Sequence, residues 1–157
     1  MPAATVMPAT ESNLAREVEH TTLHNRVAPR WEPLRVLLVE DSPVIREHLI
    51  ETIATSSRVK VVGCADTESE AVCALEKDEC DVIILDLGLA EGSGLEVLKF
   101  ARSDIAYSPV VVIFTNYANS RRQTMKLGAD YFLSKSEDLD RLRRIMQGLA
   151  APHGESD

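Results

Sequence analysis

From residue 34 onward the chain alternates between two kinds of hydrophobic pattern. Short apolar runs occupy residues 35–40, 59–65, 81–86, 109–115 and 130–134. They are rich in β-branched residues and too short for helices, which predicts strands buried on both faces. Between the runs, apolar residues recur at helical spacing. Ser42 followed by Pro43 reads as an N-cap with proline at the first helical position, and Ile45, Leu49, Ile50 and Ile53 continue one face. Leu95, Leu98 and Ala101 form a second stripe after Gly94, and Leu139, Leu142, Ile145, Met146 and Leu149 form a third. Residues 68–77 carry a weaker stripe; residues 119–127 carry the weakest, with only Met125 and Leu127 apolar. Five strands alternating with five helices predict an α/β fold, a parallel sheet covered on both faces.

The first 33 residues differ. Pro2, Pro8, Pro29 and Pro33 punctuate them, and Leu14 with Val18 makes too small an apolar face for a stable helix. Residues 1–33 are expected to be a flexible extension, with Trp31 positioned to fold back on the domain. Residues 34–151 are expected to be the folded unit and 152–157 a disordered tail. Composition changes this picture little: 45% hydrophobic and 27% charged residues suit a soluble globular protein. No apolar run reaches membrane-spanning length, and the N-terminus has neither a secretory nor a transit pattern. Cys64, Cys73 and Cys80 are odd in number and lack metal spacing, which reads as small buried hydrophobes in a reducing compartment. A net charge of −8 argues against non-specific binding to nucleic acid or an anionic membrane. A cytoplasmic protein is expected.

Right-handed crossovers place every strand's C-terminal end on one edge of a parallel sheet, where sites form beside the switch in strand order. The residues at those ends are Glu40 and Asp41, Asp86, Thr115, and Ser134 with Lys135. Each alone reads as a solvated turn or a helix cap. Together they are a coincidence. Carboxylates about 5 Å apart repel by roughly 3 kcal/mol per pair at an effective dielectric near 20. A fold that gathers three of them calls for a cation, and ligands that are all oxygen favour Mg²⁺ over zinc.

The acidic pair in LLVEDSP, the Asp in VIILDLGLAEGSGLEVL, the Thr in PVVVIFTN and the Lys in GADYFLSKSED resemble the response-regulator receiver domain of two-component signalling. The resemblance runs from about Leu34 to Ala150. It implies a flavodoxin-like, doubly wound five-stranded sheet in the order 2-1-3-4-5. It also implies that Asp86 accepts a phosphoryl group from a histidine kinase or phosphotransfer protein. Mg²⁺ would be bound by Asp41, Asp86 and the Gly88 carbonyl, with Glu40 holding a metal-bound water. Lys135 and Thr115 would contact phosphoryl oxygens, and Thr115 and Phe132 would form the switch. Phe132 read alone is a core aromatic, and Tyr131 is expected at the surface by strand alternation.

Three departures from the family pattern stand out. Ser136 replaces the proline that usually follows the lysine in a cis bond, and the Lys135–Ser136 bond is expected to be cis or strongly distorted so that Lys135 still reaches Asp86. Leu89-Ala90 stands where Met-Pro is frequent, and Gly88 is expected to leave one side of the pocket open. Asn116 and Tyr117 follow Thr115 and are placed to crowd water's approach to an acyl phosphate. The output face is expected on helix four, strand five and helix five, which carry charges of both signs from Arg121 to Arg144. These fit either a phosphorylation-dependent homodimer or a solvated surface. The few residues after Ala150 suggest a stand-alone receiver acting on a downstream protein rather than an enzyme. A degenerate receiver serving as a scaffold is the alternative. A Mg²⁺-dependent aspartyl phosphatase of the haloacid dehalogenase type would need an acid where Gly88 stands.

Overall fold

The apolar runs form five strands, β1 (Leu34–Val39), β2 (Val59–Ala65), β3 (Val82–Leu85), β4 (Val110–Thr115) and β5 (Tyr131–Ser134). They alternate with helices α1 (Pro43–Ile53), α2 (Glu68–Lys77), α3 (Gly94–Ser103), α4 (Arg121–Lys126) and α5 (Leu139–Ala150). The structure is a computed structural model and describes residues 32–151. The expectations for a flexible extension, for Trp31 and for a C-terminal tail fall on residues outside the described ones, apart from Glu32 and Pro33. All strand pairs are parallel and the order is β2-β1-β3-β4-β5, as expected for the doubly wound, flavodoxin-like sheet.

Strand alternation divides the core into two layers. Leu37, Val39, Ile83, Leu85, Val111 and Ile113 face one way and meet Ala71 and Leu75 of α2 and Val97, Leu98 and Ala101 of α3. Val36, Leu38, Val82, Ile84, Val112 and Phe114 face the other way, toward Leu49 and Ile53 of α1 and Leu142 and Met146 of α5. β3 and β4 are buried along their whole length. β2 is not: Lys60, Val62 and Cys64 are exposed. It is an edge strand, and its pairing with β1 skips Val62, which bulges out between Val61 and Gly63. The expectation of burial on both faces therefore fails at this edge.

Local caps fix where three helices start. Ser42 Oγ accepts the Ile45 N–H, with Pro43 in the first turn. Thr67 Oγ1 accepts the Glu70 N–H at α2, and Ser93 Oγ accepts the Leu95 N–H at α3. The weakest predicted helix is short: a 3₁₀ turn, Ala118–Ser120, leads into the six residues of α4, and neither has a side-chain cap. No helix among the described residues is long and apolar enough to cross a membrane.

Candidate functional site

The sheet edge that holds the ends of β1, β3, β4 and β5 gathers the expected residues. Oxygens of Glu40, Asp41 and Asp86 all lie within 4.8 Å of one another. Parallel pairing of Val39 with Leu85 brings the first two beside the third. Gly94 makes the turn after Asp86 tight enough, because a Cβ there would overlap the Asp86 carbonyl oxygen. Lys135 Nζ donates to Asp86 Oδ2 at 2.7 Å and lies 2.7 Å from Glu40 Oε2. Thr115 is buried at the end of β4; its carbonyl accepts the Lys135 N–H and its hydroxyl accepts the Tyr117 N–H.

Burial makes these charges consequential. Glu40 is 2% exposed and Asp86 5%. Burial pushes the Glu40 carboxyl above its ordinary value; Lys135 opposes this, the Asp86 charge adds to it, and the Ser42 N–H opposes it. For Lys135 burial works against the ammonium, but its bonds to Asp86 and Glu40 outweigh that and hold it above the usual lysine value. One ammonium is set against three carboxylates, each pair of which repels by about 3 kcal/mol at this spacing. Glu40 Oε2 is buried and is held by the Lys135 ammonium at 2.7 Å. An all-oxygen donor set of three carboxylates set against one ammonium fits Mg²⁺ with a water in its shell.

Three expectations need correction. The Lys135–Ser136 bond is trans, as are all peptide bonds among the described residues. Side-chain bonds close this turn instead: Ser134 Oγ accepts the Ser136 N–H at 3.3 Å, and Asp138 Oδ2 accepts the Ser134 N–H at 2.8 Å. Lys135 reaches the pocket on its long stem, so the cost of a non-proline cis bond, about 3 kcal/mol, is avoided. Gly88 does not leave its side open. The Tyr117 ring rests against it, and a Cβ on Gly88 would come within 2.8 Å of Tyr117 Cε2. Tyr131 is half-buried against the layer of α1 and α5 rather than fully at the surface.

Phe132 is buried in the other layer with Ile113 and Leu98, on the inside of the sheet. Two acids assigned to the output face are engaged elsewhere. Asp130 pairs with Arg102 of α3 at 2.9 Å and accepts the Val111 N–H, while Asp138 holds the turn described above. Sequence reasoning missed Glu68 and Arg46. Glu68 Oε1 accepts the Ser93 N–H, and Arg46 pairs with Asp66 at 2.9 Å. Local pattern singles out neither, because the partner of each lies far away in the sequence.

Comparison with known proteins agrees with this geometry. The family model described as response regulator receiver domain matches residues 36–147. A response regulatory protein of Vibrio cholerae is 32% identical over 124 residues, covering 79% of this chain and 52% of that protein. The chain thus spans about half the length of that curated relative. Among solved structures, the signal receiver domain of the response regulator NarL from Mycobacterium tuberculosis superposes with a TM-score of 0.68 at 26% identity. That match covers 76% of this chain and 97% of the other. The phosphorylated cyanobacterial phytochrome response regulator RcpA superposes with a TM-score of 0.65 at 26% identity, covering 74% and 91%.

Proposed function

The chain belongs to the response regulator receiver domain family, and on that footing we propose that it is a phosphoacceptor whose Asp86 takes a phosphoryl group from a phosphohistidine. The observation that carries the reading is the Lys135 ammonium bridging Asp86 and Glu40 beside a cluster of three carboxylates. An Asp86 carboxylate oxygen attacks phosphorus, the P–N bond to the donor imidazole breaks, and an acyl phosphate forms. Lys135 leaves its carboxylate contacts for a phosphoryl oxygen, and the Thr115 hydroxyl donates to another. Asp41, Asp86 and the Gly88 carbonyl would hold Mg²⁺ and Glu40 would orient a water beside it; bound there, the ion would supply the remaining positive charge.

The switch in this reading is Thr115 moving toward the phosphate, with Phe132 adjusting in the space behind it. The readout face is α4, β5 and α5, where Arg121, Arg122, Lys126, Arg141 and Arg144 meet a downstream protein or a second copy. The donor is a histidine kinase or phosphotransfer protein, and the site of action is the cytoplasm. The chain turns over no substrate beyond its own phosphorylation and dephosphorylation.

Intact mass after incubation with acetyl phosphate tests this reading. Wild type with Mg²⁺ is expected to gain one phosphoryl group, and wild type without Mg²⁺ and Asp86→Asn to gain none. No adduct on wild type would favour the alternative, a degenerate receiver acting as a scaffold.

A further inference from the structure

The turn after Asp86, residues 87–93, carries the Gly88 carbonyl that the proposed cation site uses. That turn rests on a residue far away in the sequence. Glu68, the first residue of α2, donates its N–H to the Glu91 carbonyl at 3.0 Å. Its Oε1 accepts the Ser93 N–H at 3.0 Å, across a separation of 25 residues. Gly92, at φ 81°, lies so close over Glu68 that any side chain there would overlap its Cβ. Ser93 in turn forms an isolated antiparallel bridge with Gly88. The carboxylate of Glu68 is therefore two links from the carbonyl, through one hydrogen bond and one bridge. A second contact, from the Ala90 N–H to the Asp66 carbonyl at 3.3 Å, ties the same turn to the loop before α2.

We infer that Glu68 is a positioning residue for the divalent cation, holding the turn so that the Gly88 carbonyl is in place before the ion arrives. The inference rests on the metal-site reading above. Mg²⁺ tolerates little departure from octahedral geometry, so a carbonyl on a wandering turn is a poor ligand. Ordering that turn on binding would cost conformational entropy that a turn held in advance does not lose. Glu68 is not a ligand itself. Among the described residues the ion-sized acidic group is Glu40, Asp41 and Asp86 alone, and the Glu68 carboxylate is spent on Ser93.

The test separates reach from charge, using the full chain and Mn²⁺ as the probe, with free ion measured by electron paramagnetic resonance. Glu68→Ala is expected to bind on the order of tenfold more weakly than wild type, the size usual for losing a group that orients a ligand. Glu68→Gln keeps an oxygen that can accept the Ser93 N–H and is expected to stay within about twofold of wild type. Glu68→Asp keeps the charge but is one methylene short, and is expected to weaken binding as alanine does. Asp41→Asn is expected to lose the ion, and urea unfolding midpoints identify any variant whose fold has changed. A glutamine variant as weak as alanine, or an aspartate variant as tight as wild type, would mean that Glu68 acts by charge alone and would overturn the inference. Equal affinities for Glu68→Ala and wild type would overturn it while leaving the metal site standing. No binding to wild type would overturn the metal-site reading and this inference together.

Discussion

Two buried carboxylate sites at opposite edges of the sheet show what individual residues decide. At the edge where the strands begin, Asp81 is 2% exposed, but its oxygens accept the Arg35 N–H, Nε and Nη2 at 2.8, 3.2 and 3.1 Å. Asp81 raises the Arg35 guanidinium further above its ordinary value through those bonds, and the pair is complete without a ligand. At the other edge one Lys135 ammonium serves Glu40 and Asp86 at once, with the Asp41 carboxylate beside them. Three carboxylates against one ammonium leave the second site short of positive charge, as the Asp81 site is not. Tyr117 belongs to the same scale. It is 58% exposed, yet its ring covers Gly88. Tyr117→Ala leaves the acids and Lys135 in place while opening a path for water. It is expected to shorten the lifetime of the acyl phosphate by about two- to tenfold. Decay of the phosphorylated mass with time reads this directly, and an unchanged lifetime would show that the ring is no cover.

Elements differ in how firmly they are held, and the difference between α4 and α5 falls within the proposed readout face. β2 protects its open edge with the Val62 bulge and with exposed Lys60, which makes a second chain a poor partner there. α5 is anchored by Leu142 and Met146, both buried, over about three turns of sequence-encoded stripe. α4 has six residues, no side-chain cap, and one fully buried side chain, Thr124, whose hydroxyl is spent on the Ser120 and Arg121 carbonyls. Helices this short are marginal without packing. Amides of α4 are expected to exchange with deuterium at least about tenfold faster than those of α5 in the unphosphorylated protein. Equal protection of the two helices would remove the mobile segment from the proposed readout face.

At the scale of the whole molecule, the two core layers share one sheet, so a charge created in either layer is felt as lost stability. Cys80 is buried in the layer of α2 and α3, and burial pushes its thiol up to about 12, with its bond to Tyr107 opposing. Burial also raises Tyr107, beside Cys80, and its hydroxyl reaches the Leu75 and Asp78 carbonyls. A folded-state value above the unfolded one, near 9 for the thiol, means that the native state keeps its proton longer. The stabilisation is then complete below about pH 9 and is lost as pH rises toward 12, at about 1.4 kcal/mol per unit. Urea midpoints at about pH 8 and about pH 10 are expected to fall less in Cys80→Ala than in wild type, with Tyr107 carrying the residual drop. Parallel falls in the two proteins would show that the thiol is not the titrating group.

Much of this was legible in the sequence, because it depends on local pattern. Short β-branched runs and helical stripes predicted every strand and helix, since period and length decide the element that can bury them. Residues that end strands were found together because a parallel sheet sends every C-terminal end to one edge. The family motifs then assigned Glu40, Asp41, Asp86, Thr115 and Lys135, and the structure brings four of them within ion-pair or metal-ligand range. What stayed hidden depended on contacts between distant parts of the chain. The trans bond at Lys135 is the ordinary preference of a non-proline bond, whereas the bonds by which Ser134 and Asp138 close that turn lie in no dipeptide rule. Tyr117 over Gly88, Asp130 turned toward Arg102, and Glu68 under Ser93 each join elements separated by a crossover. A sequence states which side chains are available and how often they recur, whereas only the packed sheet decides which of them meet.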